Sequence, residues 1–297
     1  MDSAHTRLHF DYNAPQSLEA GLLALRKSPG AAIIAGGTDL LPSWRGGLIH
    51  PTLVIDFKHL GLSYIKAEVN RVRIGAYTTH SQMMVSELLT GYFPALPEAC
   101  RQIAAPPIRN RGTLGGNLVN ASPAADTAPP LMAYDAELVL VKDGSQRVVP
   151  LDKFFIGPGE TLKQPDELLA EVYIPFCEPN TASKFIKMGN RRAMAIAVAS
   201  VAVRISLGKA EEVLEARIAL GSVAPTPIRA REAESLLVGE KLSEDVISAA
   251  AYMAQGEVAP ISDIRASKEY RSRMVEVLVK RSLLAARTEL KERMTGE

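Results

Sequence analysis

Apolar positions recur at helical spacing early in the chain, where Leu18, Leu22 and Leu25 share one face of a predicted helix. Ser17 suits its N-cap, Glu19 suits its first turn, and Pro29-Gly30 ends it. Residues 31–35 form a short continuous apolar run, which predicts a buried strand that stops at Gly36-Gly37-Thr38-Asp39. A second buried strand is predicted over residues 53–57. Apolar strands separated by helix predict a small parallel βαβ layer.

The pattern changes near residue 64. Residues 71–76 alternate polar and apolar, as a half-exposed strand does. Residues 81–89 and 94–103 read as helical. Residues 104–130 carry Pro106-Pro107, Gly112, Gly115-Gly116, Pro123 and Pro129-Pro130, and read as one long irregular stretch, a length that points to function. Strands resume at 136–142, 147–151 and 168–176. Cys177-Glu178-Pro179-Asn180-Thr181 is polar, contains a proline and marks the expected domain boundary. Strand patterns return at 184–188, 193–205 and 213–220, and the last third is helical. There Val275, Leu278, Val279, Ser282 and Ala286 trace one stripe, read as core. Arg271, Arg273, Lys280, Arg281 and Arg287 lie around it, as a solvated surface or a docking face.

Composition narrows the function classes. The 34 basic and 33 acidic side chains among 297 residues leave a net charge of +1, which disfavours nucleic-acid binding through a large basic surface. With only Cys100 and Cys177, the chain lacks the four cysteines that iron–sulfur ligation usually needs, and a disulfide scaffold is equally unexpected. A reducing cytoplasm is the expected compartment. The segment from Met1 to Arg7 has no apolar signal-peptide core, and no apolar stretch reaches the roughly 20 residues of a membrane span. Dinucleotide G-x-G-x-x-G, P-loop, H-E-x-x-H, C-x-x-C and G-x-S-x-G patterns are all absent. The five histidines, at positions 5, 9, 50, 59 and 80, form no recognisable metal-ligand cluster.

Two glycine-rich turns carry the candidate chemistry. In the first, Ile33-Ile34-Ala35-Gly36-Gly37-Thr38-Asp39-Leu40, a strand ends in paired glycines whose N–H groups can approach an anion closely. A tight turn needing positive φ explains the same residues. The second runs from Arg109 to Asp126. Thr113, Gly116 and Asn117 are candidate donors to a second phosphate, and Asp126 is a candidate acceptor from a sugar or ribityl hydroxyl. A polar loop that satisfies its own backbone is the competing explanation. Two such turns on one chain suit a diphosphate held from both sides.

These residues resemble a known family. Ala35-Gly36-Gly37-Thr38-Asp39-Leu40-Leu41-Pro42, Gly112-Thr113-Leu114-Gly115-Gly116-Asn117 and Asp126 are similar to the FAD-binding medium subunit of the molybdenum hydroxylases, which include xanthine dehydrogenase and carbon monoxide dehydrogenase. Matching stretches in the same order are Arg73 to His80, Ala219 to Pro227 and Asp263 to Arg271. The resemblance implies an α+β chain. Its FAD-binding domain, residues 1–177, comprises two α/β subdomains, a small parallel βαβ layer plus a mixed or antiparallel sheet. A C-terminal domain, residues 178–297, holds an antiparallel sheet with helices.

The resemblance also implies site roles. Ile33, Ile34, Ala35, Gly36, Gly37, Thr38, Asp39 and Leu40 wrap the FAD pyrophosphate, and Thr113, Gly115, Gly116 and Asn117 complete the grip. Asp126 contacts the flavin, Ile103 and Leu169 pack on the cofactor, and Lys187 reaches the flavin. His80 is read as a structural residue of its turn. No catalytic or metal-ligating residue is expected on this chain. The family variant with a four-cysteine iron–sulfur insertion is excluded by the cysteine count. FAD is the implied cofactor. The [2Fe-2S] clusters and the molybdenum cofactor are implied on partners, a small iron–sulfur subunit and a large molybdenum subunit, in a dimer of heterotrimers. Electrons would pass from those clusters to FAD and on to an external acceptor. A stand-alone FAD-dependent oxidase or reductase, or a nucleotide-binding module without enzymatic activity, are the alternatives.

Overall fold

The computed structural model describes residues 10–191 and 193–295. The segment from Met1 to Arg7, and with it His5, and also His9, lie outside the described residues.

The first layer is a three-stranded parallel sheet, ordered Asp11–Asn13, Leu53–Asp56, Ala32–Ile34. The helix Leu18–Lys27 makes the crossover that a parallel pair requires. Ser17 caps it, its hydroxyl accepting from the Ala20 amide at 3.2 Å, and Leu22 and Leu25 turn into the core. The strand Ala32–Ile34 is half-buried, not fully buried as its composition predicts, because it lies on the edge of the sheet.

The second layer is a five-stranded antiparallel sheet, ordered Ile65–Ala67, Arg71–Gly75, Leu168–Pro175, Glu137–Lys142, Ser145–Pro150. A bulge interrupts its register between Leu169 and Glu171, leaving Ala170 to accept from the Ala76 amide at 2.8 Å. Bulges re-aim side chains, and here strict alternation between the two faces is lost at Leu168 and Leu169. Residues 104–130 are not irregular throughout. They wind into short helices, Pro106–Arg109 and Leu114–Val119, and lead into Ala128–Ala133. Proline in the first turn and a threonine cap start helices where composition alone reads as loop. The helical pattern at 81–89 is two helices, His80–Met84 and Glu87–Tyr92, the second capped by Ser86.

The third layer is a four-stranded antiparallel sheet, Thr181–Gly189, Ala197–Leu207, Val213–Gly221 and Ile228–Arg229, covered by the helices Arg231–Leu237, Glu244–Gly256 and Lys268–Thr295. The stripe of Val275, Leu278, Val279, Ser282 and Ala286 is buried against this sheet. Two of the basic residues around the stripe do not face solvent freely. The Arg271 guanidinium is buried and donates to Val198 O at 2.7 Å, Ser222 O at 3.0 Å and Asp263 Oδ1 at 2.7 Å. Arg287 donates to Leu242 O at 3.1 Å. Asp263 also receives the amides of Arg265 and Ala266, which gives the Asp263-to-Arg271 stretch a structural explanation.

Two hydrophobic cores result, joined by polar contacts. Asp135, in the left-handed region at φ 52°, accepts from the guanidinium groups of Arg204, Arg217 and Arg229. Tyr134 Oη lies 2.5 Å from Ser183 Oγ and accepts from the Ala95 amide at 3.1 Å. Phe185, Ala202 and Ala219 of the third sheet pack into the first core, which fixes the third layer against the first two.

Candidate functional site

The strand Ala32–Ile34 ends at a turn that runs into the short helix Leu40–Arg45. Tyr77 secures the strand end, its hydroxyl donating to Ile34 O at 3.1 Å. Gly37 has φ +73°, a conformation that favours glycine. Gly36 serves a different need. A Cβ there would sit 2.0 Å from Arg111 O and 3.0 Å from Gly112 Cα, so the two glycine turns touch through their backbones. Gly115 is equally confined, its Cβ position lying 2.7 Å from Ala76 Cβ.

The two turns therefore share one cavity of about 330 Å³, inside the usual range for cofactor sites. Ile33, Ala35, Gly36, Gly37, Thr38, Asp39 and Leu40 line it from one side, and Thr113, Gly115, Gly116 and Asn117 from the other. Leu169 lines it together with Leu168, as the bulge allows. Ile34 does not line it; its carbonyl is engaged by Tyr77.

Hydrogen bonding separates the roles of the turns. Among the described residues, the amides of Gly36, Gly37, Thr38 and Asp39 find no protein acceptor. Those of residues 114–117 in the second turn are satisfied within the fold: Leu114 to Thr78 O, Gly115 to Ala76 O, Gly116 to Thr113 Oγ1 and Asn117 to Thr113 O, at 2.8–3.1 Å, while the Thr113 amide, like those of residues 36–39, finds no protein acceptor among the described residues. The expectation that Gly116 donates to a second phosphate is corrected accordingly, since its N–H is spent on the threonine cap. Asn117 Oδ1 likewise accepts from the Thr127 hydroxyl at 2.6 Å, which leaves its Nδ2 as a donor. The first turn offers main-chain donors; the second supplies side-chain donors and the shape of the wall.

Asp126, Lys187 and Ile103 lie outside this cavity and belong to a second cluster. Lys187 Nζ donates to Asp126 Oδ2 at 2.6 Å and to Gln102 O at 3.1 Å. Both side chains of the pair are more than nine-tenths buried, at 6% and 8% exposure. Burial pushes the Asp126 carboxyl up to about 6, although Lys187 pulls it down. Asp126 Oδ1 is buried with no partner, an acceptor left open for a hydroxyl or ring N–H. Ile103, next in chain to Gln102, is buried at the end of the helix Ala95–Gln102, and its carbonyl accepts from Arg109 at 2.8 Å. The clusters are linked because Thr127, bonded to Asn117, directly follows Asp126.

His80, read from sequence as a structural residue, is buried, with its Nδ1 unpartnered among the described residues. It opens the helix His80–Met84, its amide donates to Gly112 O at 3.0 Å, and burial lowers its pKa to about 4. The cavity also uses residues that pattern reading did not single out, among them Tyr77, Val119 and Lys163. Tyr77 had a signal in the Arg73-to-His80 stretch and Val119 in the Arg109-to-Asp126 stretch; Lys163 had none in the linear sequence. Among the described residues no group of three or more His, Cys, Asp or Glu side chains is placed to hold a metal ion, and no helix is long and apolar enough to cross a membrane.

Unpaired main-chain donors at a cavity walled by two glycine turns, with an open buried carboxylate oxygen beyond, suit a nucleotide bearing a diphosphate. The residues fit FAD on those grounds. Comparison with known proteins agrees: residues 8–177 match the FAD binding domain in molybdopterin dehydrogenase, and residues 184–286 match the CO dehydrogenase flavoprotein C-terminal domain. The chain belongs to the family of FAD-binding medium subunits of the molybdenum hydroxylases, and is thus an oxidoreductase subunit. It is 34% identical to the carbon monoxide dehydrogenase medium chain of Hydrogenophaga pseudoflava, over 93% of this chain and 96% of that protein. It is 32% identical to the xanthine dehydrogenase FAD-binding subunit of Escherichia coli O157:H7, over 93% of this chain and 95% of that one. Among solved structures, the carbon monoxide dehydrogenase of Hydrogenophaga pseudoflava superposes with a TM-score of 0.90 at 33% identity, covering 94% of this chain and 98% of that one. Quinoline 2-oxidoreductase from Pseudomonas putida 86 superposes with a TM-score of 0.89 at 30% identity, covering 95% and 98%.

Proposed function

We propose that this chain is the electron-transfer subunit of a multi-subunit molybdenum hydroxylase in the cytoplasm. It takes electrons from [2Fe-2S] clusters on a small partner subunit and passes them to an external acceptor. The molybdenum cofactor belongs to a large partner subunit, and the assembly is a dimer of heterotrimers. Residues 1–177 form the FAD-binding domain and residues 178–297 the C-terminal domain. Bound FAD supplies the redox chemistry, holding up to two electrons.

The chain's own residues bind and orient that cofactor. The amides of residues 36–39 donate to the diphosphate, and each bond to a charged group contributes about 1.5–3 kcal/mol. Thr113 and Asn117 add side-chain donors, and Gly115 and Gly116 complete the wall, Gly115 letting the turn lie against Ala76, where a Cβ would come within 2.7 Å. Leu169 and Ile103 present apolar surface to the cofactor. Asp126 accepts through its open Oδ1, and Lys187, reaching over from the third sheet, fixes that carboxylate and reaches the flavin. No residue here needs to act as a general acid or base.

The observation that carries the proposal is the run of four amides without protein acceptors at the shared cavity. Purified chain should be yellow, release FAD on heating, and turn over no organic substrate until its partners are added. A colourless protein that takes up no added FAD refutes the proposal; turnover without partners favours the stand-alone flavoenzyme.

A further inference from the structure

The glycine-turn cavity contains an unassigned charge. Lys163 lies between the strands Glu160–Thr161 and Leu168–Pro175, and it is the only lysine or arginine among the residues that line the cavity. Its ammonium donates to Gln164 O at 2.9 Å and to Glu167 O at 3.1 Å. A lysine ammonium has three donors, so one remains uncommitted.

The nearby acids do not neutralise it by contact. Glu167, whose carbonyl takes the ammonium, has its buried carboxylate committed to Arg147, at 2.6 Å from Nε and 2.9 Å from Nη2, and to the Gln164 amide at 2.7 Å. Asp166 acts only at a distance, and neither acid forms a salt bridge with Lys163 among the described residues. Burial pulls the Lys163 ammonium below the ordinary lysine value, against the pull of Glu167 and Asp166. A half-buried cation without a contacting carboxylate is costly unless an anion joins it. Lys163 lines the same cavity as residues 36–39, whose main chain offers neutral N–H donors. The one acid on that wall, Asp39, is exposed.

We propose that Lys163 is the counter-charge for the bound diphosphate, supplying the cavity's one formal positive charge and selecting phosphate-bearing ligands over neutral ones. This rests on the FAD reading above. The amides orient the phosphates, and a flexible ammonium suits the task of a point charge that neutralises them.

The test uses the full apo-chain, wild type and with Lys163→Gln or Lys163→Arg, titrated with FAD, ADP and riboflavin. Glutamine keeps an N–H for the two carbonyls while removing the charge. FAD and ADP should bind Lys163→Gln about ten- to a hundredfold more weakly than wild type. Riboflavin binding should be unchanged, Lys163→Arg should recover most of the loss, and added salt should weaken FAD binding less in Lys163→Gln than in wild type. Equal weakening for FAD and riboflavin would show a structural role and overturn the proposal, as would unchanged FAD affinity in Lys163→Gln. Failure of wild-type chain to bind FAD refutes the FAD reading instead, and failure to bind ADP as well removes both.

Discussion

Gly36→Ala is the substitution to which the site should be most sensitive. The added methyl carbon would lie 2.0 Å from Arg111 O, whereas real Cβ contacts do not fall below 3.0 Å, so the two turns must separate by 1.0 Å or more (3.0 − 2.0). Both colliding partners are backbone, so no side chain can rotate away. Overpacking of this kind costs about 1–3 kcal/mol, and because the strain falls on the cavity wall it should appear as roughly 5- to 150-fold weaker FAD binding. The assay is a fluorescence titration of apo-chain with FAD, with thermal unfolding as a check on the fold. Gly30→Ala is the control, since a Cβ there meets nothing within 4 Å. Intact folding with FAD affinity within about twofold of wild type in Gly36→Ala would refute the joint construction of the cavity.

Acid should act on two buried groups with opposite sign. His80 has its folded pKa lowered from 6.5 to about 4, so the stability it contributes is present above pH 6.5 and is lost toward pH 4, by up to roughly 3 kcal/mol; His80→Gln should flatten that part of a denaturant-midpoint profile, and an unchanged slope counts against it. Asp126 has its folded pKa raised from 3.8 to about 6, so its contribution declines as pH rises across that window, and Asp126→Asn should steepen the loss on acidification. Lys187→Met strands a buried carboxylate and should destabilise by about 3 kcal/mol, with Asp126→Asn in the same chain recovering part of it; a double-mutant cycle with no coupling would contradict the buried pair.

Much of this was legible in the chain. The Ser17 cap, the parallel layer, the alternating strand at Arg71–Gly75 and the apolar stripe of the last helix follow from local periodicity, and the structure shows each of them. The glycine turns stand out because a side chain does not fit the positive φ of Gly37, the 2.0 Å approach at Gly36 or the 2.7 Å approach at Gly115. What pattern could not show is which amides are free. The second turn looks like a donor nest until Thr78, Ala76 and Thr113 take its N–H groups, and those partners come from a separate stretch of chain and from the local cap. Residues 104–130 hid their helices because each is only four to six residues long and is started by proline or threonine, not by apolar spacing. Lys163 gave no signal, since its importance lies in the cavity it lines.

Amide hydrogen exchange with and without FAD tests the central claim most directly. Residues 36–39 should exchange fast in apo-chain and slow when FAD is added, while residues 114–117 should be protected in both states. Exchange at 36–39 that is indifferent to FAD, or protection gained only at 114–117, would contradict a diphosphate held by the open amides of the first turn.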